Sequence, residues 1–73
     1  MTLQQLRYAI AVADCSSINE AAKSLFISQP SLSGAIKELE SETGLELFRR
    51  TNRGVTVTPE GEEFLGYARQ VCE

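Results

Sequence analysis

The densest chemistry in this sequence is a run of ten residues, Arg49-Arg50-Thr51-Asn52-Arg53-Gly54-Val55-Thr56-Val57-Thr58. It holds three of the chain's seven basic side chains and no acid. Such a tip can neutralise phosphates, and an arginine in a narrow minor groove gains from the enhanced negative potential there. A solvated turn would carry the same charges, so the run needs a companion. One lies upstream, where Ser28, Gln29, Ser31 and Ser33 carry short donors and acceptors, Gln can bridge the edge of an adenine, and Lys37 adds a cation for phosphate. Alone this is an ordinary wet helix face; beside the basic run it becomes a candidate reading surface.

Other chemistries find little to build on. The chain has no histidine, no Gly-rich phosphate loop, and no Ser or Cys paired with a base, so no catalytic residue and no enzymatic activity are expected. Cys15 and Cys72 lack CxxC spacing and read as small, half-buried hydrophobes, with neither a metal site nor a disulfide. Seven Lys and Arg against ten Asp and Glu leave a net charge of −3, whereas autonomous nucleic-acid binders usually carry a basic excess. Distribution must therefore carry the argument. Glu38, Glu40, Glu42 and Glu46 crowd the end of the third predicted helix and the turn after it, so only the first half of that helix can lie deep in a groove.

The elements that must position these groups can be read from caps and periodicity. Thr2 and Gln5 form a capping box that starts helix one near Leu3, and Leu3, Leu6, Ile10 and Ala13 recur at helical spacing until Cys15-Ser16-Ser17. Ser17 and Glu20 read as a second capping box for helix two, Ile18 to about Leu25, whose Ala21-Ala22 pair is small enough for close helix approach. Ser28 caps helix three, with Pro30 in its first turn, Leu32, Ile36 and Leu39 as its buried stripe, and Gly44 as its C-cap. Leu45 to Arg49 and Val55 to Thr58 read as two strands, joined by Arg50 to Gly54, where Asn52 and Gly54 tolerate positive φ. Thr58 caps helix four with Pro59 at its first position, and Phe64, Leu65, Ala68, Val71 and Cys72 give that helix an apolar face.

This order is a mainly α winged helix-turn-helix: a three-helix core, a two-stranded β wing and a C-terminal linker helix. Seventy-three residues allow one small core. The expected division is a winged helix-turn-helix domain over 1–58, with the helix-turn-helix at about 18–37 and the wing at about 47–57, and the start of a linker helix over 59–73. Helix four is still periodic at Glu73 and meets no stop signal, which predicts that the natural chain runs on. No apolar run approaches the roughly 18 residues of a membrane span, and the N-terminus lacks the basic start of a signal peptide. A cytoplasmic protein without membrane contact is expected.

At these residues the sequence resembles the LysR-type transcriptional regulators over essentially its whole length. The opening Leu3-Gln4-Gln5-Leu6-Arg7-Tyr8, the pair Ala21-Ala22, the run Ser28-Gln29-Pro30-Ser31-Leu32-Ser33, Ile36-Lys37-Glu38-Leu39-Glu40, Gly44-Leu45-Glu46-Leu47-Phe48 and Thr58-Pro59-Glu60-Gly61 fall in register with the family pattern. The resemblance implies a bacterial regulator that binds double-stranded DNA. By position, Gln29, Pro30, Ser31 and Ser33 resemble the family's base- and backbone-contacting residues, and Arg50 and Arg53 its wing contacts; Ser28, Gly34 and Lys37 on the same helix and Arg49 and Thr51 on the wing complete the expected DNA-binding surface. It also implies a homodimer paired through the linker helix by Phe64, Leu65, Ala68, Val71 and Cys72. No cofactor is expected in these residues, and a small-molecule effector is expected on a further C-terminal domain.

The family commonly has Arg then Gln where this chain has Gly34 and Ala35, often a basic residue in place of Glu38, and commonly an acid in place of Arg49. Direct readout is thereby stripped back and wing charge increased, which implies a domain that leans on its wing and on DNA shape. Two other readings keep the fold. A protein-interaction module would explain the net charge and Gly34, and a molybdate-type winged-helix regulator would share the DNA chemistry with a different sensor. Salt dependence of binding separates the first, because phosphate contacts release counterions.

Overall fold

Short-range hydrogen bonds set where each helix begins. In the computed structural model, which describes residues 1–73, the elements follow in the order α1 (Leu3–Cys15), α2 (Ile18–Leu25), α3 (Gln29–Thr43), β1 (Phe48–Thr51), β2 (Gly54–Val57) and α4 (Pro59–Cys72). The architecture is the winged helix-turn-helix expected from the sequence. The capping box of α1 is complete: Thr2 Oγ1 accepts from the Gln5 amide at 3.1 Å and Gln5 Oε1 from the Thr2 amide at 3.0 Å. Only half of the box expected for α2 forms. Ser17 Oγ accepts from the Glu20 amide at 3.2 Å, but Glu20 turns to Lys23 Nζ at 3.4 Å instead of returning to Ser17.

Helix ends follow a different rule, because three of them turn into the left-handed region. Gly44 does so at φ 70° without steric cost, as expected. Ser16 at φ 54° and Phe26 at φ 59° do so with side chains attached. Their amides close the turns on Val12 O and on the carbonyls of Ala22 and Lys23, respectively. The sequence offered no Gly or Asn at either place, so these caps were not foreseen.

Apolar stripes then meet in one core. Ala9, Val12, Ala21, Leu32, Leu39 and Leu47 are fully enclosed, and Leu65 and Ala68 bring α4 into the same cluster. A Leu buried to this degree contributes about 1.5–3 kcal/mol. Helix α1 is the hub, packing against α2, α3, α4 and β2. The Ala21-Ala22 pair is buried, consistent with the close crossing inferred from small residues.

The ribbon begins later than the alternation suggested. Leu45 to Leu47 is not strand; β1 starts at Phe48 and pairs antiparallel with β2 in the register Phe48 with Val57, Arg49 with Thr56, Arg50 with Val55 and Thr51 with Gly54. Leu47 is held by side chains instead. Glu40 of α3 accepts from the amides of Leu47 at 2.7 Å and Phe48 at 3.3 Å. Thr58 returns its amide to Leu47 O at 3.0 Å and its hydroxyl to Glu46 O. The loop at the tip is thus Asn52-Arg53 alone. Gly54, at φ 130°, takes the positive φ and Asn52 does not.

Candidate nucleic-acid interface

Register decides which wing residues can act together. Residues directly opposite in an antiparallel ribbon share a face, so Arg50 lies on the side of buried Val55 while Arg49 shares the outer side with exposed Thr56. Arg50 accordingly leans toward α3, where its Nη2 donates to Ser33 Oγ at 3.3 Å. Arg49 instead pairs with Glu46 at 3.1 Å on the far side. The two adjacent arginines, equal in sequence, have different environments.

An open polar groove runs between the first turns of α2 and α3 and the wing, lined by Ser17, Ile18, Asn19, Gln29, Arg50, Thr51, Gly54 and Val55. It brings together Gln29, Arg50 and Thr51 from the residues singled out in the sequence. Ser17 and Asn19 were missed. The available signal was their place at a helix N-terminus, where free amides and the helix dipole favour an anion. The Thr51 hydroxyl is spent locally, donating to Gly54 O and accepting from the Arg53 amide, so it shapes the turn.

Helix α3 presents Gln29, Pro30, Ser31, Gly34 and Lys37 to solvent. Ser28 is occupied as the N-cap: its Oγ accepts from the Ser31 amide at 3.2 Å and donates to Ser31 Oγ at 2.8 Å. Ser33 is half-buried and engaged by Arg50. Of the seven basic side chains, Lys23, Arg49 and Arg69 pair with carboxylates, whereas Arg7, Lys37, Arg50 and Arg53 have none within 4 Å. Despite a net charge of −3, three unpaired cations therefore lie on α3 and the wing.

This arrangement, a helix-turn-helix with a cationic ribbon beside its third helix, corresponds to a known family. Residues 3–62 match the model of the bacterial regulatory helix-turn-helix protein, lysR family. The chain belongs to the LysR family. Among curated relatives, it is 48% identical over 71 residues to the HTH-type transcriptional regulator ClcR of Pseudomonas putida, covering 97% of this chain and 24% of that protein. It is 55% identical over 64 residues to BudR of Klebsiella aerogenes, covering 88% of this chain and 45% of that protein.

Among solved structures, this LysR-family chain superposes on the BenM DNA-binding domain in complex with benA site 1 DNA with a TM-score of 0.92 and 45% identity, covering 97% of this chain and 80% of that one. For the CbnR DNA-binding domain bound to DNA the values are 0.94, 39%, 97% and 82%. The chain spans roughly a quarter to under half of the curated relatives named above.

The apolar face expected for dimer pairing needs correction. Leu65 and Ala68 are only 4% and 3% exposed because they pack against α1 within the chain's own core, so they are not free to meet a partner. What α4 leaves open is half-buried Phe64, with Tyr67 and Val71 at 64% and 63% exposure, beside Met1. Tyr67 was missed, although it stands three residues after Phe64 and four before Val71, the spacing of one helix face. Cys72 is half-buried next to Ile10 and Arg69, and both cysteines are free thiols. Arg69 is bound to Asp14 of α1 at 2.7 Å; that hydrogen bond, ahead of the charge attraction, raises the guanidinium above its ordinary pKa. No helix is long and apolar enough to cross a membrane.

Proposed function

We propose that the chain binds double-stranded DNA sequence-selectively as the reading head of a LysR-type transcriptional regulator. The first turns of α3 enter the major groove, and Arg50 and Arg53 of the wing meet phosphates and an adjacent groove. The observation that carries this reading is the position of Arg50: no carboxylate lies within 4 Å, it donates to Ser33 of α3, and it lines one groove with Gln29. Arg53 extends the same charge to the exposed tip, and the amides opening α2 suit a phosphate. The relatives' names and DNA complexes point the same way. The acidic end of α3 then faces away from the duplex, which resolves the conflict with net charge.

Two copies pair through the exposed Phe64, Tyr67 and Val71 face of α4 and read a two-fold symmetric site, its half-sites about one helical turn apart. In the longer regulator, a separate C-terminal domain takes the small effector, and the protein works in the cytoplasm on DNA. The test is retention of random duplexes at two salt concentrations by the chain and by an Arg50→Ala, Arg53→Ala double variant. Enrichment of a motif, weakened by salt, with the salt slope reduced by about 2 in the double variant, supports the reading. Retention that ignores both salt and the wing substitutions points to a different partner.

A further inference from the structure

Every intramolecular reason for a glycine is absent at position 34. Gly44 takes a left-handed cap, and Gly54 and Gly61 lie so close to the carbonyls of Ser16 and Leu47 that a Cβ would sit 2.4 and 2.3 Å from them. Gly34 is different. It lies inside α3 with no positive φ, it is exposed, and a Cβ there would meet nothing within 4 Å. Gly66 is equally open but sits on α4, outside the reading surface. A glycine in a helix interior weakens the helix relative to alanine. Position 34 thus costs stability with no compensating contact in the fold.

Its surroundings extend the gap. Ser31 and Lys37 are the exposed polar residues on either side, about 9 Å apart along the helix at 1.5 Å per residue. Between them Ser33 is turned to Arg50, Gly34 has no side chain, and Ala35 offers a half-buried methyl. At roughly 3.4 Å per base-pair step, that interval leaves room for at least one base pair between the two flanking contacts. The Ser33 hydroxyl is drawn toward Arg50, and neither Gly34 nor Ala35 carries a side-chain donor or acceptor, so position 34 itself cannot tell one base edge from another.

We propose that position 34 is permissive: the base pair opposite the second turn of α3 goes unread, and each half-site carries a degenerate position flanked by specified ones. The proposal rests on the DNA-binding reading above. Its experiment is selection from random duplexes by the chain, by Gly34→Ala and by Gly34→Arg, each first checked for helical circular dichroism. The open space around residue 34 lets both variants fold, with Gly34→Ala the more heat-stable. Gly34, counted in the sequence among the DNA-binding residues, is here assigned no base contact of its own, so the chain and Gly34→Ala should enrich the same motif with one degenerate internal position. Gly34→Arg should convert that position to guanine, with discrimination on the order of 10- to 100-fold from a bidentate pair.

A parent motif specified at every position, or an unchanged motif for Gly34→Arg, overturns the proposal. A tenfold loss of binding in Gly34→Ala also overturns it, because the bare backbone itself would then be the contact. If none of the three folded proteins retains DNA, the DNA-binding reading fails and the proposal goes with it.

Discussion

Removing the Glu40 carboxylate should release the wing from the helical core. Its Oε2 accepts from the amides of Leu47 and Phe48 at 2.7 and 3.3 Å, and Leu47 lies before the ribbon begins, where no ladder can serve it. A hydrogen bond to a charged acceptor contributes about 1.5–3 kcal/mol, and a buried donor left unsatisfied costs about 1–3 kcal/mol. The first bond is short and the second long, so Glu40→Ala should lose about 2–3 kcal/mol. A chain of this length has roughly 4–11 kcal/mol in total. With a urea m-value of about 1 kcal/mol/M, the unfolding midpoint should fall by about 2–3 M. Glu40→Gln, which keeps an acceptor but loses the charge, should fall about half as far.

Amide exchange at Leu47 and Phe48 should accelerate in Glu40→Ala well beyond exchange in α1, which reports global opening. The reasoning would be refuted by a midpoint within about 0.3 M of the parent. Equal acceleration at every amide would refute local release of the wing even if the midpoint fell.

Three other perturbations follow from the same geometry. Gly61→Ala forces a methyl onto Leu47 O and should cost about 1–3 kcal/mol by thermal melting, whereas Gly66→Ala, with open space around it, should stabilise by up to about 1 kcal/mol. Phe26→Gly relieves a left-handed residue whose ring is 94% exposed and makes no core contact worth keeping, so the melting temperature should rise; a fall would show that the ring packs in solution. Arg49→Ala breaks only an exposed pair with Glu46 and should leave duplex affinity within about twofold. Arg50→Ala should weaken it by about tenfold or more at low salt, and equal effects in fluorescence titrations would mean that the ribbon faces have been assigned wrongly.

What the sequence made legible was local. Thr2 with Gln5, Ser28, Thr58 and Gly44 announced helix ends because a cap is satisfied within three or four residues. The buried stripe Leu32, Ile36 and Leu39 followed from one period. The errors arose where distant residues intervened. Leu45 to Leu47 alternates like a strand, but Glu40 and Thr58 draw it into an irregular segment. Leu65 and Ala68 looked available until α1 covered them. Arg49 and Arg50 could not be told apart without the pairing register, and Ser17 and Asn19 joined the site only because the wing folds back beside α2.

The wing tip is bounded by fixtures. Val55 donates its amide to Ser16 O at 3.0 Å, at the left-handed end of α1, and Gly54 lies so close to that carbonyl that no side chain fits. On the other strand, Glu40 holds the chain where β1 begins. Only Asn52 and Arg53 lie between the paired ends of the ribbon. The fold itself should therefore accept substitutions at those two positions and resist them at Gly54. Under the proposed DNA-binding role, the contact assigned to Arg53 could then be altered while the rest of the fold stays as it is.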